Sequence, residues 1–562
     1  MTSLAVADST LEPTDFSVPT EDQGEEKAWK PDGWRFWAVF PGLCFSMLLT
    51  GLDASILATS LPTIVTELHG GALYVWTMNG YFLTTAAIQP LAGQAADIFG
   101  RRIPMILSLV FFAVGSGICG GANSLEMLIA GRLVQGLGGG ALFVMVDTIT
   151  ADLVPLRERM KYMAIIMTFF TLGSFMGPIV GGAIVTGTSW RWVFYINLPV
   201  VGVALVFVIL FLRVNHKREG TILQRISRVD FLGNVILVSS VVSILIPLTW
   251  GGTTYAWSSW RILVPLIIGF FGLVLFGLHQ AYVAREPTTP LRIFANQACL
   301  LGYILTFLNG IILNWLNFFL PVYFQVLLEA TPLMSGVDLL AIVIPLAPAG
   351  MVGGIIVAVT GRYKPIIIIG SILLCIGIGC LTLLDSNSST AVWIILQIIV
   401  GAGGGLALTA TLPAVQAPLP ESDVAIATAS WAFARSFGAI WGAAIPSAVF
   451  NSRFNDLLPR ISDPMIRQLL ANGGAYEHAT KVFITALNSE PILKQQVVTV
   501  YTECLQRVWQ ILIAFAVVCV PMAVVLKEVV LRKGLKTEYG LETKEKGPEN
   551  PPNSAAQQAE GI

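Results

Sequence analysis

Charge is what this chain has least of. Asp, Glu, Lys and Arg make up 12% of its 562 residues, about half the roughly 25% of an ordinary soluble domain. The net charge of −1 gives no electrostatic case for nucleic acid. No G-x-x-x-x-G-K followed by Ser or Thr is present, which excludes a P-loop for ATP. No G-x-S-x-G or other nucleophile arrangement appears, so nothing points to an enzyme. The histidines (His69, His216, His279, His478) are far apart and lack ligand spacing, so no metal or other cofactor is expected. Cysteines sit mostly inside apolar runs (Cys44, Cys119, Cys299, Cys375, Cys380, Cys519) and read as small packing residues rather than a disulfide framework. Residues 1–30 carry Glu21, Asp22, Glu25 and Glu26 without the basic-then-apolar order of a signal peptide.

What is abundant is apolar sequence: 55% hydrophobic residues and a mean hydropathy of +0.74. It comes in runs of about 20 residues, long enough to cross roughly 30 Å of hydrocarbon. The chain therefore reads as an all-α integral membrane protein with 14 transmembrane helices, at 37–58, 75–96, 103–122, 126–148, 162–185, 194–212, 230–249, 263–283, 300–326, 337–359, 365–384, 392–414, 425–449 and 508–531. Connections on the side of the N-terminus gather the basic residues, among them Arg101, Arg102, Arg157, Arg159, Lys161, Lys217, Arg218, Arg362 and Lys364. The short connections opposite carry Arg191 and Arg261. The positive-inside rule then places both termini in the cytoplasm. Residues 450–507 read as a long extracytoplasmic segment with amphipathic helices, and Asn387-Ser388-Ser389 as a glycosylation sequon in an outer loop. Residues 1–36 read as a disordered cytoplasmic tail, and 532–562 as a cytoplasmic tail that is disordered from about 540.

An internal echo divides the rest. Gly136, Gly138, Gly139 and Gly140 recur 265 residues later as Gly401, Gly403, Gly404 and Gly405, and Gly173 and Gly177 recur at that offset as Gly438 and Gly442. A duplicated multi-helix unit in a membrane chain implies two bundles flanking a central path. One six-helix bundle spans 37–212 and a second 300–531, including the 450–507 loop; 213–299 is a linker holding two extra helices.

Four motifs carry a resemblance. The loop Gly93-Gln94-Ala95-Ala96-Asp97-Ile98-Phe99-Gly100-Arg101-Arg102 resembles the loop signature of the major facilitator superfamily. Gly173-Ser174-Phe175-Met176-Gly177-Pro178-Ile179-Val180-Gly181-Gly182 is similar to that superfamily's antiporter motif. Leu52-Asp53 with Leu61-Pro62, and Trp190-Arg191-Trp192-Val193-Phe194-Tyr195-Ile196-Asn197-Leu198-Pro199, resemble marks of its fourteen-span drug:proton antiporters, including fungal toxin and multidrug efflux pumps. Arg132, within Gly131-Arg132-Leu133-Val134-Gln135-Gly136, matches the family's arginine motif, which by resemblance modulates proton transfer.

Each motif also has a physical reading. Asp97, Arg101 and Arg102, with Asp152 as partner and Gly93 and Gly100 around them, suit a breakable charge latch between helices 2, 3 and 4. Ala95 and Ile98 depart from the family loop, where leucine and a basic residue are usual. Gly173, Gly177 and Gly181 share one helix face and admit a neighbouring backbone, with Gly182 beside them. Pro178 favours a kink and corresponds to Ala443 in the second half. A charge at Arg132 costs at least roughly 2.5–3.5 kcal/mol on insertion scales, which argues for function; its counterpart is Gln397. Asp53 is the foremost proton site and Asp147 a second buried acid. Asp53 and Arg132 are expected to be lone charges, and ionisable groups within the lipid to be confined to the first half. Amides among aromatics (Asn79, Tyr81 and Gln89 on helix 2; Asn309, Asn314 and Asn317 on helix 9) outline a substrate path.

The expected protein is a monomeric proton-coupled exporter of hydrophobic or amphiphilic small molecules, with protons, a small organic cargo and the bilayer as partners. A siderophore or basic amino acid carrier of the same fold, and a non-transporting membrane sensor, remain open at this point.

Overall fold

The computed structural model describes residues 33–68, 75–213, 221–251, 255–386, 388–471 and 473–531. The Asn387 sequon, residues 1–32 and the tail from 532 lie outside them. Among the described residues there is no strand, and fourteen helices have fifteen residues or more. They are α1 (Gly33–Glu67), α2 (Val75–Phe99), α3 (Arg102–Gly120), α4 (Leu125–Leu153), α5 (Leu156–Gly187), α6 (Asn197–Phe211), α7 (Phe231–Trp250), α8 (Trp260–Tyr282), α9 (Gln297–Val322), α10 (Leu340–Thr360), α11 (Lys364–Leu381), α12 (Thr390–Gln416), α13 (Val424–Leu457) and α14 (Pro491–Val525). Several start where a polar side chain satisfies free amides: Ser124 accepts from Met127 N, Asp230 from Gly233 N, and Asn296 from Ala298 N.

Twelve of the described helical stretches are long and apolar enough to cross a membrane. The helices outside that set are α2 and α13. Both are diluted by buried polar residues, such as Thr77, Gln89 and Gln94 on α2 and Thr428, Ser430 and Asn451 on α13. Each turns this polar face inward, and they meet where Gly93 abuts Ala429.

Some boundaries differ from expectation. Helix α1 begins at Gly33, inside the stretch read as tail. At the far end, α13 and α14 are 34 and 35 residues long, so each reaches about 50 Å, well past the hydrocarbon. The 450–507 loop is correspondingly shorter, and Val497, Val500 and Leu505 are buried positions of α14 rather than a separate cap. Short helices at Pro464–Leu470, Gly474–Glu477 and Lys481–Ala486 fill the remainder.

The glycine echo is two copies of the same packing. Gly136 and Gly140 of α4 face the Tyr81 and Thr85 carbonyls of α2; Gly401 and Gly405 of α12 face the Ile342 and Leu346 carbonyls of α10. Gly173 faces the Leu48 carbonyl of α1 and Gly177 the Ser55 hydroxyl, while Gly438 and Gly442 face the Phe307 and Ile311 carbonyls of α9. The seams return from the other side, since Gly51 meets the Phe170 carbonyl and Gly310 the Arg435 carbonyl. Helix α5 runs unbroken through Pro178.

The pair α7–α8 is fastened to the first bundle through α2. Gln94 donates to the Glu286 carbonyl (2.8 Å) and accepts from Thr288 (3.1 Å). A few residues later the chain is fastened to the second bundle, by Arg292 on Asp423 (2.9 Å) and Phe294 against Tyr303.

Candidate functional site

Helix α1 carries Asp53 against α4, so that the carboxylate meets Arg132 across 79 residues of sequence. Arg132 Nη1 lies 2.7 Å from Asp53 Oδ2, with Asp53 fully buried and Arg132 nearly so. Desolvating two such charges costs several kcal/mol each, and the pair holds only if its remaining hydrogen-bonding capacity is met. It is met closely. Gln135 Nε2 donates to Asp53 Oδ1 (2.7 Å), and Asn197 Nδ2 reaches the same oxygen at 3.3 Å. Gln135 and Asn197 also meet at the Ser116 hydroxyl. Arg132 donates to the Thr77 carbonyl (3.0 Å) and to Gln135 Oε1 (2.8 Å), and lies over the Tyr81 ring at 4.3 Å. Five helices, α1, α2, α3, α4 and α6, are thus tied at one point.

The expectation of lone charges is corrected here: Asp53 and Arg132 neutralise each other. Gln135, Ser116 and Asn197 complete the cluster. Asn197 and Gln135 stand inside the quoted motifs, so a signal existed; their geometry did not. The flanking motif residues fix its position, since Trp190 Nε1 donates to Glu67 (2.8 Å) and Arg191 to the Ala122 carbonyl (3.0 Å).

A second charge cluster closes the α2–α3 turn. Gly100 has φ of 79°, in the left-handed region where glycine is favoured, and the resulting reversal buries Arg101. Its guanidinium contacts Asp152 Oδ2 at 2.6 Å, Asp97 Oδ1 at 3.1 Å and the Ala96 carbonyl at 2.7 Å. Arg102 lies apart, on the Ile209 carbonyl of α6 (2.7 Å), and Gly93 faces the other bundle. Arg101→Ala should lower folding stability by about 3 kcal/mol or more, because it leaves two acids without their buried cation. Arg102→Ala loses one exposed hydrogen bond and should change stability by less than about 1 kcal/mol. Thermal unfolding in detergent compares them, and equal shifts would contradict this assignment.

At this same end the bundles touch. Arg157 at the start of α5 donates to the Ala358 and Val359 carbonyls of α10, and Arg159 to Gln416 of α12. Gly354 packs on Met160 and Lys161.

Asp147 stands between the two clusters on α4. It is fully buried, and neither carboxylate oxygen has a hydrogen-bond partner among the described residues. The charge that acts on it belongs to Arg435 of α13 in the second bundle. Arg435 is half-buried, with its guanidinium over Phe143 of α4 (5.1 Å) and Trp431 (4.9 Å). This corrects the expectation that ionisable groups within the lipid are confined to the first half. Like Arg132, Arg435 is an arginine inside an apolar helix, a costly placement that is visible in the sequence.

The expected substrate-path residues do not converge. Asn79 donates to Thr249 of α7, Asn309 to the Leu305 carbonyl of its own helix, and Asn314 to the Ala439 carbonyl. Tyr81 serves Arg132, and Asn317 is exposed. Gln89 is buried, and neither of its amide atoms has a hydrogen-bond partner among the described residues. In the antiporter motif, Gly181 is buried and Gly182 has open space before it.

These features define a multi-pass membrane protein built from two related bundles with charge buried at their junction. The Major Facilitator Superfamily profile matches residues 43–443, and the chain belongs to that family. It is 46% identical to the MFS-type transporter gkaD of Penicillium citrinum over 94% of this chain and 91% of that one. It is 45% identical to the MFS efflux transporter aclA of Aspergillus oryzae over 96% and 97%. The crystal structure of the human organic anion transporter MFSD10 (TETRAN) superposes with a TM-score of 0.54 at 16% identity, covering 87% of this chain and 98% of that chain. Family and fold are those of a transporter rather than an enzyme.

Proposed function

We propose that this protein exports hydrophobic or amphiphilic small organic molecules from the cytoplasm by proton antiport, across the plasma membrane. Relatives named as efflux transporters over nearly the whole chain support export, and the basic connections support cytoplasmic termini. In this reading all fourteen long helices span the bilayer. The α7–α8 pair is an addition to two six-helix bundles, and the end held by Arg157 and Arg159 faces the cytoplasm. The described arrangement is then closed to the cytoplasm.

The observation that carries proton coupling is the pair of buried acids on the first bundle. Asp53 neutralises Arg132, so a proton on it frees a buried guanidinium, while neither oxygen of Asp147 has a hydrogen-bond partner among the described residues. Either change alters the balance of charge between conformations, which is what coupling requires. The Asp97–Arg101–Asp152 cluster acts as the latch, and the α1–α5 glycine seam lets those helices slide as one wall.

The test uses reconstituted vesicles with the cytoplasmic face outward. An acid lumen should drive uptake of an amphiphilic fluorescent dye. One pH unit, about 1.4 kcal/mol per proton, supports about tenfold accumulation at a one-proton stoichiometry. Accumulation that survives a protonophore would exclude the antiport.

A further inference from the structure

We propose that Arg435 is a positioning residue for Asp147, and that the two form an electrostatic strut between the bundles that holds the cytoplasmic end shut until Asp147 takes a proton. The inference rests on the proton-antiport reading above and adds to it a partner supplied by the second bundle.

Three observations converge. Asp147 has no hydrogen-bond donor among the described residues although it is fully buried, and a buried acid without donors needs compensation of another kind. Arg435 supplies it from across the junction, since its side chain lies over Phe143, one helical turn before Asp147 on α4. Arg435 itself has no ion pair or hydrogen bond among the described residues; aromatic rings hold it on two sides. The other charges on helices packed against α4 are engaged elsewhere or exposed. Asp53 of α1 is on Arg132, Asp97 of α2 on Arg101, Arg102 of α3 on a carbonyl, Arg159 of α5 on Gln416, and Lys161 faces outward.

The sign of the coupling fits export. Ionised Asp147 attracts Arg435 only while the bundles lie together at this level, so the unprotonated carrier prefers the cytoplasm-closed form. A proton arriving from the outer solution binds a carboxylate oxygen and removes the attraction. The bundles rock, and the proton leaves to the cytoplasm where cargo is loaded. The proton-loaded carrier returns inward and the unprotonated, cargo-loaded carrier moves outward, as antiport needs.

The experiment needs no knowledge of the cargo. Spin labels are placed at Arg213 and Arg362, exposed positions after α6 and α10, through a noncanonical amino acid that leaves the native cysteines in place. Distances are measured in lipid nanodiscs from pH 5 to 8.5. In the otherwise unaltered protein the short-distance, cytoplasm-closed population should rise with pH. Arg435→Gln and Asp147→Asn should each flatten that response and lower the closed population at high pH by about tenfold, the low end of what one opposite charge does to a neighbouring acid. Arg435→Lys keeps the charge and should retain the response, which separates the strut from a fold defect. A normal pH response in Arg435→Gln would overturn the strut while leaving proton coupling intact. A chain with native Asp147 and Arg435 whose distances ignore pH altogether would remove both the strut and the antiport reading.

Discussion

Arg132→Ala should abolish proton-driven dye uptake and lower folding stability by about 3–5 kcal/mol, the usual consequence of removing one partner from a buried ion pair. The substitution strands the Asp53 carboxylate and takes away what holds Thr77 and Gln135 in place. Asp53→Asn should cost about as much, because an amide oxygen that still accepts from Gln135 and Asn197 turns its NH2 on Arg132 and leaves the guanidinium buried without a counter-ion. The informative variant is the double one, Asp53→Asn with Arg132→Gln. With no net charge left buried, it should recover most of the stability, since neutral replacement of a buried pair is often tolerated. It should not recover proton-driven uptake. Thermal unfolding and vesicle uptake, measured on the same preparations, read the two effects separately. Wild-type unfolding in Arg132→Ala would mean that the five-helix junction contributes nothing to the fold.

Gly177→Val is the second large effect expected. A side chain there would run into the Ser55 hydroxyl, the Ile56 amide nitrogen and the Leu52 carbonyl. Overpacking in a core ordinarily costs about 1–3 kcal/mol because side-chain ends give way. Here most of what is met is backbone, so α1 and α5 must separate along their length, and the loss should exceed 3 kcal/mol or prevent assembly. At Gly182, five residues on in the same motif, an added Cβ meets nothing within 4 Å among the described residues, and Gly182→Val should change stability by no more than about 0.5 kcal/mol. The contrast in folded yield and melting temperature distinguishes a packing seam from a motif whose glycines all matter equally.

What could be read from the letters depended on how local each cause was. The glycine echo was legible because a close helix crossing forbids a side chain at fixed positions, and that ban survives in both halves. Most spans were legible because the bilayer imposes length and apolarity on each helix separately. The extensions of α13 and α14 were not, since hydropathy registers only the part within hydrocarbon. Pairing was the least accessible. Asp53 and Arg132 look like isolated charges along the chain, and only the crossing of α1 and α4 makes them partners. Arg435 is hidden differently: its counterpart 265 residues earlier is Phe170, so neither the repeat nor a motif draws the eye to it. The amides of α2 and α9 share a residue type but no single place: Asn79 and Asn314 bond neighbouring helices, Asn309 its own helix, and Asn317 is exposed.

The fastening of the chain on either side of Pro290 has a mechanical meaning. Up to Thr288 the backbone is tethered to α2 through Gln94, and from Arg292 onward it belongs to the opposite half through Asp423. Proline fixes one of the few torsions left between those tethers. The covalent crossing from one half to the other is therefore a short, stiff pivot rather than slack cable, and α7 and α8 lie beside it against both halves, with Phe270 of α8 on Trp441 of α13.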